Sequence, residues 1–589
     1  MTSAERTSRT STALRDPYAH AALRIRRIDT SAIQRSIGRL LARDQKWKPF
    51  FVSFWVLGDP PEHLEVTSSY AVEESRIQIF RLENSPDFLY WLSPPSFEVP
   101  EDELSILWNV VDEIWSVLPS NLDLGNAAQV RRYIRNRAEH LIALHLPRTL
   151  GKAERLRRSR FLAVLLERNT AGLGILEILL ADSNVQDIFL DAPCEKVPLH
   201  LTVADAGGGR SHQRCRSNIL MCETGLRNII SKLLIMSGKP FSERSPILET
   251  DLGDMNARLT AVAPPLSPDG IALAVRRHST DPWTLTKLVY HRSLTPLAAG
   301  LISFLIDGNA TILVTGSRGA GKSSLLGAMM FEFPTSQRVL TIEDTLELPC
   351  AELRRLGYKI QGLYVGSGQS SNRMTAEKAL RVSLRLGESA LVLGEVRGEE
   401  AKTLYEAMRV GTAGSAVLGT IHGSSSRSVF ERVVHDLGIP PQSFSATDIV
   451  IVAGLFRPRG TQNSRRRVIE ISELCKESYD GRFLPLMRFS ISQDSLVETD
   501  VFLQGSNKIR EIANSWGMSY GEALANIHAR AECKLHVVEL ARRLGTKLLS
   551  AKLVSLANSV FSSLIEEGYS GSDLVAQWKE WMDVRAVYV

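Results

Sequence analysis

The chain has few cysteines, no long apolar run and little net charge, and each scarcity closes off a class of function. Its six cysteines (Cys194, Cys215, Cys222, Cys350, Cys475 and Cys533) are scattered, with no C-x-x-C pair. That spacing fits neither a zinc ribbon nor a disulfide framework; it fits buried thiols in a reducing compartment. No apolar stretch reaches the ~20 residues of a membrane-spanning helix. The N-terminal segment lacks the apolar centre of a secretory signal. A formal net charge of +5 over 589 residues is too small to count as evidence for nucleic acid. What remains, at 44% hydrophobic and 23% charged residues, is a multi-domain globular protein. Its expected location is the cytoplasm, with any membrane association made through a partner.

The most informative stretch is Gly316-Ser317-Arg318-Gly319-Ala320-Gly321-Lys322-Ser323, which reads G-x-x-x-x-G-K-S and is followed by Ser324. Ala310–Val314 precedes it as a buried-strand run, and Ser324–Met330 reads as a helix opening. Strand, glycine loop and helix start, in that order, are the context a phosphate-binding loop requires. Glycines let backbone N–H groups close around phosphate oxygens, and the helix N-terminus adds its positive dipole end. Lys322 is expected on the β- and γ-phosphates of ATP and Ser323 on Mg²⁺. The competing account is a chance match in a glycine-containing turn.

Along the chain, residues 1–29 read as a mobile tail rich in Ser, Thr and Arg. Residues 30–150 read as an N-terminal α+β or helical adaptor. It opens on a helix over Thr30–Asp44 and holds strands over Phe50–Leu57, Glu65–Val72 and Arg76–Leu82, then helices from Glu101 and from Ala127. Glu154–Arg168 is a basic amphipathic helix whose arginines face either solvent or acidic partners. Residues 151–290 form a second α+β domain, broken at the Gly207-Gly208-Gly209 turn. Its strands Ala257–Ala263 and Ile271–Arg276 carry Arg258 and Arg276, with Arg277 next. From 295 to 500 strands and helices alternate, which predicts a parallel sheet covered on both faces. Expected strands are Ala310–Val314, Arg338–Ile342, Ala390–Leu393 and Ala416–Thr420, with edge strands over Asp448–Leu455, Arg467–Leu474 and Phe483–Ser490. Residues 501–589 read as a C-terminal helical extension.

Three polar sites follow the loop, each at the C-terminal end of an expected strand, where α/β sheets place ligands. Thr341-Ile342-Glu343-Asp344 offers a carboxylate, Glu343, that can orient or deprotonate a water. Ala390-Leu-Val-Leu-Gly394-Glu395 is a Walker B-like strand with Gly394 where an Asp usually binds Mg²⁺. Glu395 then reaches the metal through water or polarises the nucleophile. Gly419-Thr420-Ile421-His422 brings an imidazole to the same edge, where it either senses a γ-phosphate or serves as a hydrogen-bonded structural histidine. Each acid pair also reads as a helix cap or surface turn.

The blocks G-S-R-G-A-G-K-S-S, T-I-E-D-T-L-E-L, L-R-V-S-L-R-L-G-E-S-A-L-V-L-G-E-V-R-G-E-E-A and G-T-A-G-S-A-V-L-G-T-I-H-G-S-S, in that order, resemble the secretion ATPase superfamily. That superfamily comprises the motors of type II secretion, type IV pili, archaeal flagella and type IV secretion. The blocks match its Walker A, Asp box, Walker B and His box, and the resemblance covers roughly Gly172 to Leu474. It implies an α/β fold with a RecA-like P-loop NTPase core and an upstream PAS-like α+β half-domain. It also implies that Arg258 and Arg276 or Arg277 clamp the γ-phosphate. Arg381 and Arg385 match the arginine segment before Walker B, and some of these reach a neighbouring subunit. For each arginine alone, a surface salt bridge is the competing account. The four-cysteine zinc insertion of bacterial extension motors is absent, since no cysteine lies between Cys350 and Cys475. Tyr70–Pro100 resembles archaeal members, and Gly460–Arg467 the family's basic hairpin turn.

The expected protein is a homo-hexameric ATPase. It would use ATP and Mg²⁺ to drive filament assembly or secretion, docked on a polytopic inner-membrane platform protein. It would have no transmembrane segment of its own and no nucleic-acid partner. Two alternatives stand beside it: a nucleotide-gated assembly scaffold with little turnover, and a nucleic-acid translocase.

Overall fold

A computed structural model describes residues 54–56, 64–82, 87–117, 119, 122–123, 126–204, 213–277, 281–365, 375–387, 389–398, 400–410, 416–460, 464–477 and 479–587. The expected tail, the helix over Thr30–Asp44, the Gly207–Gly209 turn, Gly414 and the tip of the 460–467 hairpin lie outside them. The chain divides into two compact units, Met1–Ser279 and Thr280–Val589.

The first unit holds eleven described strands: β1 (Phe54–Val56), β2 (Val66–Val72), β3 (Ser75–Arg81), β4 (Phe88–Ser93), β5 (Val185–Leu190), β6 (His200–Val203), β7 (Gln213–Ser217), β8 (Ile219–Met221), β9 (Ile247–Leu252), β10 (Ala257–Val262) and β11 (Ala272–Arg277). Nine of them form one sheet in the order β2-β3-β4-β7-β6-β5-β11-β10-β9. All neighbours pair antiparallel except β4 and β7. Alternation builds it: Ile77 and Ile79 point inward from β3, Leu259 and Ala261 from β10. The boundary expected at residue 150 does not divide this sheet, because β2–β4 continue into β5–β11. The join is tied by the fully buried Asp182, whose Oδ2 accepts the hydroxyls of Tyr70 (2.8 Å) and Tyr90 (2.9 Å). Single-strand patterning reveals which residues face inward, not which distant strand they pair with, so this join left no local signal.

Helices Glu101–Ser116, Ala127–His145 and Lys152–Thr170 make a separate apolar core around Leu107, Ile114, Ile134, Leu141 and Leu162. Three acids open the first of them, where the dipole favours negative charge. Asn126 caps the second through the Gln129 N–H. The basic face of the third finds its acids within the unit: Arg158 on Glu103 and Arg160 on Glu139. Glu167, 1% exposed, accepts from Arg131 and Arg135 of the neighbouring helix.

The second unit is built on strands β12 (Ile312–Gly316), β13 (Arg338–Glu343), β14 (Lys359–Tyr364), β15 (Ala390–Leu393), β16 (Val417–His422), β17 (Ile449–Phe456), β18 (Arg465–Leu474), β19 (Phe483–Ser490) and β20 (Ser495–Glu498). Their order is β14-β13-β15-β16-β12-β17-β18-β19-β20. The run from β14 through β17 is parallel; β17 to β20 is an antiparallel edge. This is the α/β, RecA-like arrangement expected. β12 is buried along its whole length, as a central parallel strand must be.

The helical extension beyond residue 500 packs into the core of the second unit. Helices Asn507–Ser515, Tyr520–Leu544, Ala551–Glu566 and Gly571–Ala586 share one continuous apolar core with helix Pro296–Asp307 and β12. Contact is close at Gly300, where a Cβ would sit 2.5 Å from the Ile527 carbonyl oxygen and 2.8 Å from the Ala531 nitrogen. Polar pairs flank it: Arg530 on Asp307 (2.5 Å), and Lys534 on Glu332 (2.8 Å), the latter pair 6% and 1% exposed. Glu473, at the end of β18, accepts from the Ser506 hydroxyl (2.6 Å) and the Lys508 N–H (2.8 Å), so it caps the first of these helices. Asn507–Leu544 holds two of these helices, split at Trp516-Gly517, where Gly517 takes φ +70°.

Candidate functional site

The site lies at the C-terminal tips of adjacent parallel strands β13, β15, β16 and β12. β12 runs straight into the glycine loop. Gly316, Gly319 and Gly321 take φ +152°, +79° and +94°, values that side-chain-bearing residues rarely adopt. A Cβ on Gly316 would also lie 2.2 Å from the Ala453 carbonyl oxygen of β17, so glycine is required there twice over. Ser317, Arg318 and Gly319 are exposed and Ala320 is buried; Gly321–Ser324 are half-buried where helix Lys322–Met329 begins. Lys322 Nζ donates to the carbonyl oxygens of Gly316 (2.9 Å) and Ser317 (3.3 Å). Burial lowers its pKa, and the nearby Glu395 carboxylate partly offsets that. A loop with backbone donors, an ammonium curled over it and a helix N-terminus behind it suits a polyphosphate.

Glu395, half-buried at the tip of β15, lies 3.0 Å through Oε1 from His422 Nε2 at the tip of β16. Burial, and after it Lys322, hold the His422 imidazole below its ordinary pKa. Its neutral form can donate Nε2–H to the carboxylate. Thus Lys322, Glu395 and His422, chosen from three separate blocks, come together. Thr420 donates its hydroxyl to the Gly394 carbonyl, which ties β15 to β16 below them.

Glu343 departs from expectation. It is 3% exposed, with Oε1 accepting the backbone N–H groups of Glu347 (2.9 Å) and Leu348 (2.8 Å), and Oε2 facing Cys350 Sγ at 3.9 Å. Its carboxyl is turned into the 344–350 loop rather than left open to a water. Burial pushes its pKa up to about 7 against those stabilising N–H bonds. The same side chain accounts for Gly394: a Cβ there would approach Glu343 Cγ to 3.3 Å, so an aspartate would have to displace it. Asp344, next along, is half-buried and paired with Arg397, which also lies 3.4 Å from Glu395 Oε2.

Arg258 and Arg276 are cross-strand partners on one face of the first unit's sheet, near Glu249 (3.4 Å) and Asp187 (4.0 Å) respectively. Arg277 faces the other way and donates to the carbonyl oxygens of Ser183 (2.7 Å) and Asp182 (3.3 Å). Arg381 is held on the exposed face of helix Ala376–Ser383 by Glu377 (2.7 Å), and Arg385 follows it, exposed. Two residues of this site were missed from sequence. Arg397 carries a signal in hindsight, standing two places after Glu395. Arg466 on β18 donates Nε–H to the Gly319 carbonyl (2.8 Å); it lay hidden inside a run of three arginines.

A divalent ion would find Ser323 at the helix start and Glu395 across the sheet tip. Among the described residues there is no cluster of three or more His, Cys, Asp or Glu able to cage a metal. That donor set fits Mg²⁺ brought in with phosphates, which supply most of its oxygens. Among the described residues no helix is long and apolar enough to cross a membrane.

Residues 217–499 match the family model described as type II/IV secretion system protein. The chain is similar to a putative conjugal transfer protein of Mycobacterium tuberculosis, 28% identical over 295 residues, which are 48% of this chain and 77% of the relative. It is also similar to an uncharacterized protein of Methanocaldococcus jannaschii, 25% identical over 357 residues, 59% of this chain and 46% of the relative. The solved structure of the Legionella pneumophila ATPase DotB aligns with 18% identity and a TM-score of 0.37, covering 67% of this chain and 95% of that one. A phosphate loop, a strand-tip glutamate and a neighbouring histidine all lie inside residues 217–499, the segment similar to the type II/IV secretion system protein family.

Proposed function

We propose that this chain is a cytoplasmic, hexameric motor. It converts Mg·ATP hydrolysis into movement that assembles a pilus- or flagellum-like filament, or drives secretion through a related machine, on a polytopic membrane platform protein. The observation that carries this is the convergence of Lys322, Glu395 and His422 at one sheet edge. In this reading the Gly316–Ser324 loop and Lys322 hold the phosphates, and Ser323 holds Mg²⁺, which neutralises phosphate charge. Glu395 orients or deprotonates the attacking water, with His422 fixing the carboxylate's direction. Glu343 shapes the loop beside them. Charge on the transferred phosphoryl group calls for guanidinium groups, and the candidates are Arg258, Arg276 or Arg277, Arg381 and Arg385, some of them serving a neighbouring subunit.

Steady-state phosphate release by purified protein is the test. Lys322→Ala is expected to lose nucleotide binding and turnover together. Glu395→Gln is expected to bind Mg·ATP normally while kcat falls at least 100-fold. Turnover by Lys322→Ala at the parental rate ends the reading, and an unaltered kcat in Glu395→Gln moves the water-handling role elsewhere. Native mass measurement with and without ATP tests the hexamer.

A further inference from the structure

Three consecutive arginines open β18, and the strand's two-residue period splits them. Arg465 (2.7 Å) and Arg467 (2.8 and 2.9 Å) both bind Asp494. Arg466 is thereby sent to the opposite side, where Nε–H reaches the Gly319 carbonyl at 2.8 Å. Its Cδ lies 3.4 Å from where a Cβ on Gly321 would sit. One side chain therefore lies against both glycines that bracket Ala320.

The apex needs such a contact. Gly319 is exposed, and a Cβ built on it would meet nothing within 4 Å, so side-chain packing does not hold it; within the loop the Ala320 N–H donates to the Ser317 carbonyl (3.2 Å). A glycine with φ +79° in open space has many other conformations within reach. The loop can present its N–H groups to phosphate oxygens only in one of them. The platform holding Arg466 is rigid by comparison: β18 pairs with β17, and β17 with β12, the strand that feeds the loop. A guanidinium keeps its charge at every working pH and carries five donors in a planar fork, so it can hold a carbonyl and face an anion at once.

We propose that Arg466 is a positioning residue of the nucleotide site, fixing the apex of the phosphate loop through the Gly319 carbonyl and adding a permanent positive charge there. This rests on the reading of Gly316–Ser324 as the nucleotide loop. The apex serves phosphates common to ADP and ATP, so Arg466 strengthens binding of both equally and leaves the chemical step alone. A sensor of the γ-phosphate would instead spare ADP and lower kcat.

The test measures Mg·ADP and Mg·ATP affinity by calorimetry, with ATP on a Glu395→Gln background, together with KM and kcat. Arg466→Ala is expected to weaken both nucleotides roughly tenfold, the loss of one charge-assisted hydrogen bond, with kcat within threefold of the parent. Arg466→Lys, which keeps the charge and loses the planar donor, is expected between the two. Arg467→Ala controls for damage to β18; it is expected to lower Tm without changing affinity. The proposal is overturned if Arg466→Ala binds ADP within twofold of the parent. It is equally overturned if ADP binding is spared while kcat drops tenfold, or if Arg467→Ala weakens nucleotide as much. Failure of the parent to bind Mg·ADP would take down the nucleotide reading as well; a parent that binds, with an Arg466→Ala that binds equally, takes down only this proposal.

Discussion

Replacing Glu343 by glutamine separates two roles for that side chain. In the structure the carboxyl is 3% exposed, accepts two backbone N–H groups and has its pKa pushed up to about 7 by burial. In the unfolded chain it titrates in the ordinary glutamate range, about 4.3. The folded state therefore binds the proton more tightly, and stability is greatest below the unfolded pKa. It falls as pH rises through the folded one, because the folded protein must then carry a buried charge. Holding the carboxyl at about 7 rather than about 4.3 corresponds to roughly 3 kcal/mol at full ionisation, an upper figure for a site that can relax. Glutamine keeps the accepting oxygen and carries no charge. Glu343→Gln should match the parent near pH 4 and exceed it by about 1–3 kcal/mol at pH 8, read from urea midpoints at fixed protein concentration. Glu343→Ala, which leaves both N–H groups buried without an acceptor, should be less stable at either pH by about 1–3 kcal/mol. Turnover of Glu343→Gln should stay within a few-fold of the parent if the carboxyl only shapes the loop. A pH-independent stability difference would refute the buried-charge argument, and a kcat loss above 100-fold would return Glu343 to the water-handling role.

Breaking the buried pair with Lys534→Met alone should cost about 3–5 kcal/mol, since Glu332 is left charged and unpaired; adding Glu332→Leu should recover most of that loss in thermal melts. The acid limb of the kcat/KM–pH profile should fall below the ordinary imidazole value of about 6.5, as burial and Lys322 oppose charging His422, and His422→Asn should flatten it. An acid limb above that value would contradict the assignment. Gly316→Ala should abolish nucleotide binding, because the new methyl meets the Ala453 carbonyl at 2.2 Å on a backbone already at φ +152°; affinity within tenfold of the parent would show that the strand gives way.

The parallel sheet was largely legible in the sequence. Ala390–Leu393 agrees to the residue, and β12, β13 and β16 to within two, because central strands are near-continuous apolar runs closed by glycine or polar tips; Phe483–Ser490, on the antiparallel edge, also agrees to the residue. β14 and β20 were missed; K-I-Q-G-L-Y and S-L-V-E are short and half-polar, as edge strands are. Glu395 and His422 could be named because each stands at a strand tip, and Lys322 because it closes the glycine loop after β12. The partner of a side chain could not. Glu343 reads as an open acid in T-I-E-D, and only the folded loop returns Glu347 and Leu348 to it. Likewise R-R-R gives no hint that its middle member alone turns toward the glycine loop. Arg258 and Arg276 stand side by side on neighbouring strands, a pairing set by hairpin register rather than by either strand's own pattern.

The close approach at Gly300 decides what a shortened chain would be. Deleting everything after residue 500 would strip the cover from Ala298–Ile306, an almost wholly apolar stretch, and leave the back of the nucleotide sheet wet and adhesive. Such a fragment would precipitate rather than reveal a minimal engine. For the same reason, anything that grips the Tyr520–Leu544 helix from outside has a short lever to the phosphate loop. That helix leans on Pro296–Asp307, and four residues further on the chain enters β12.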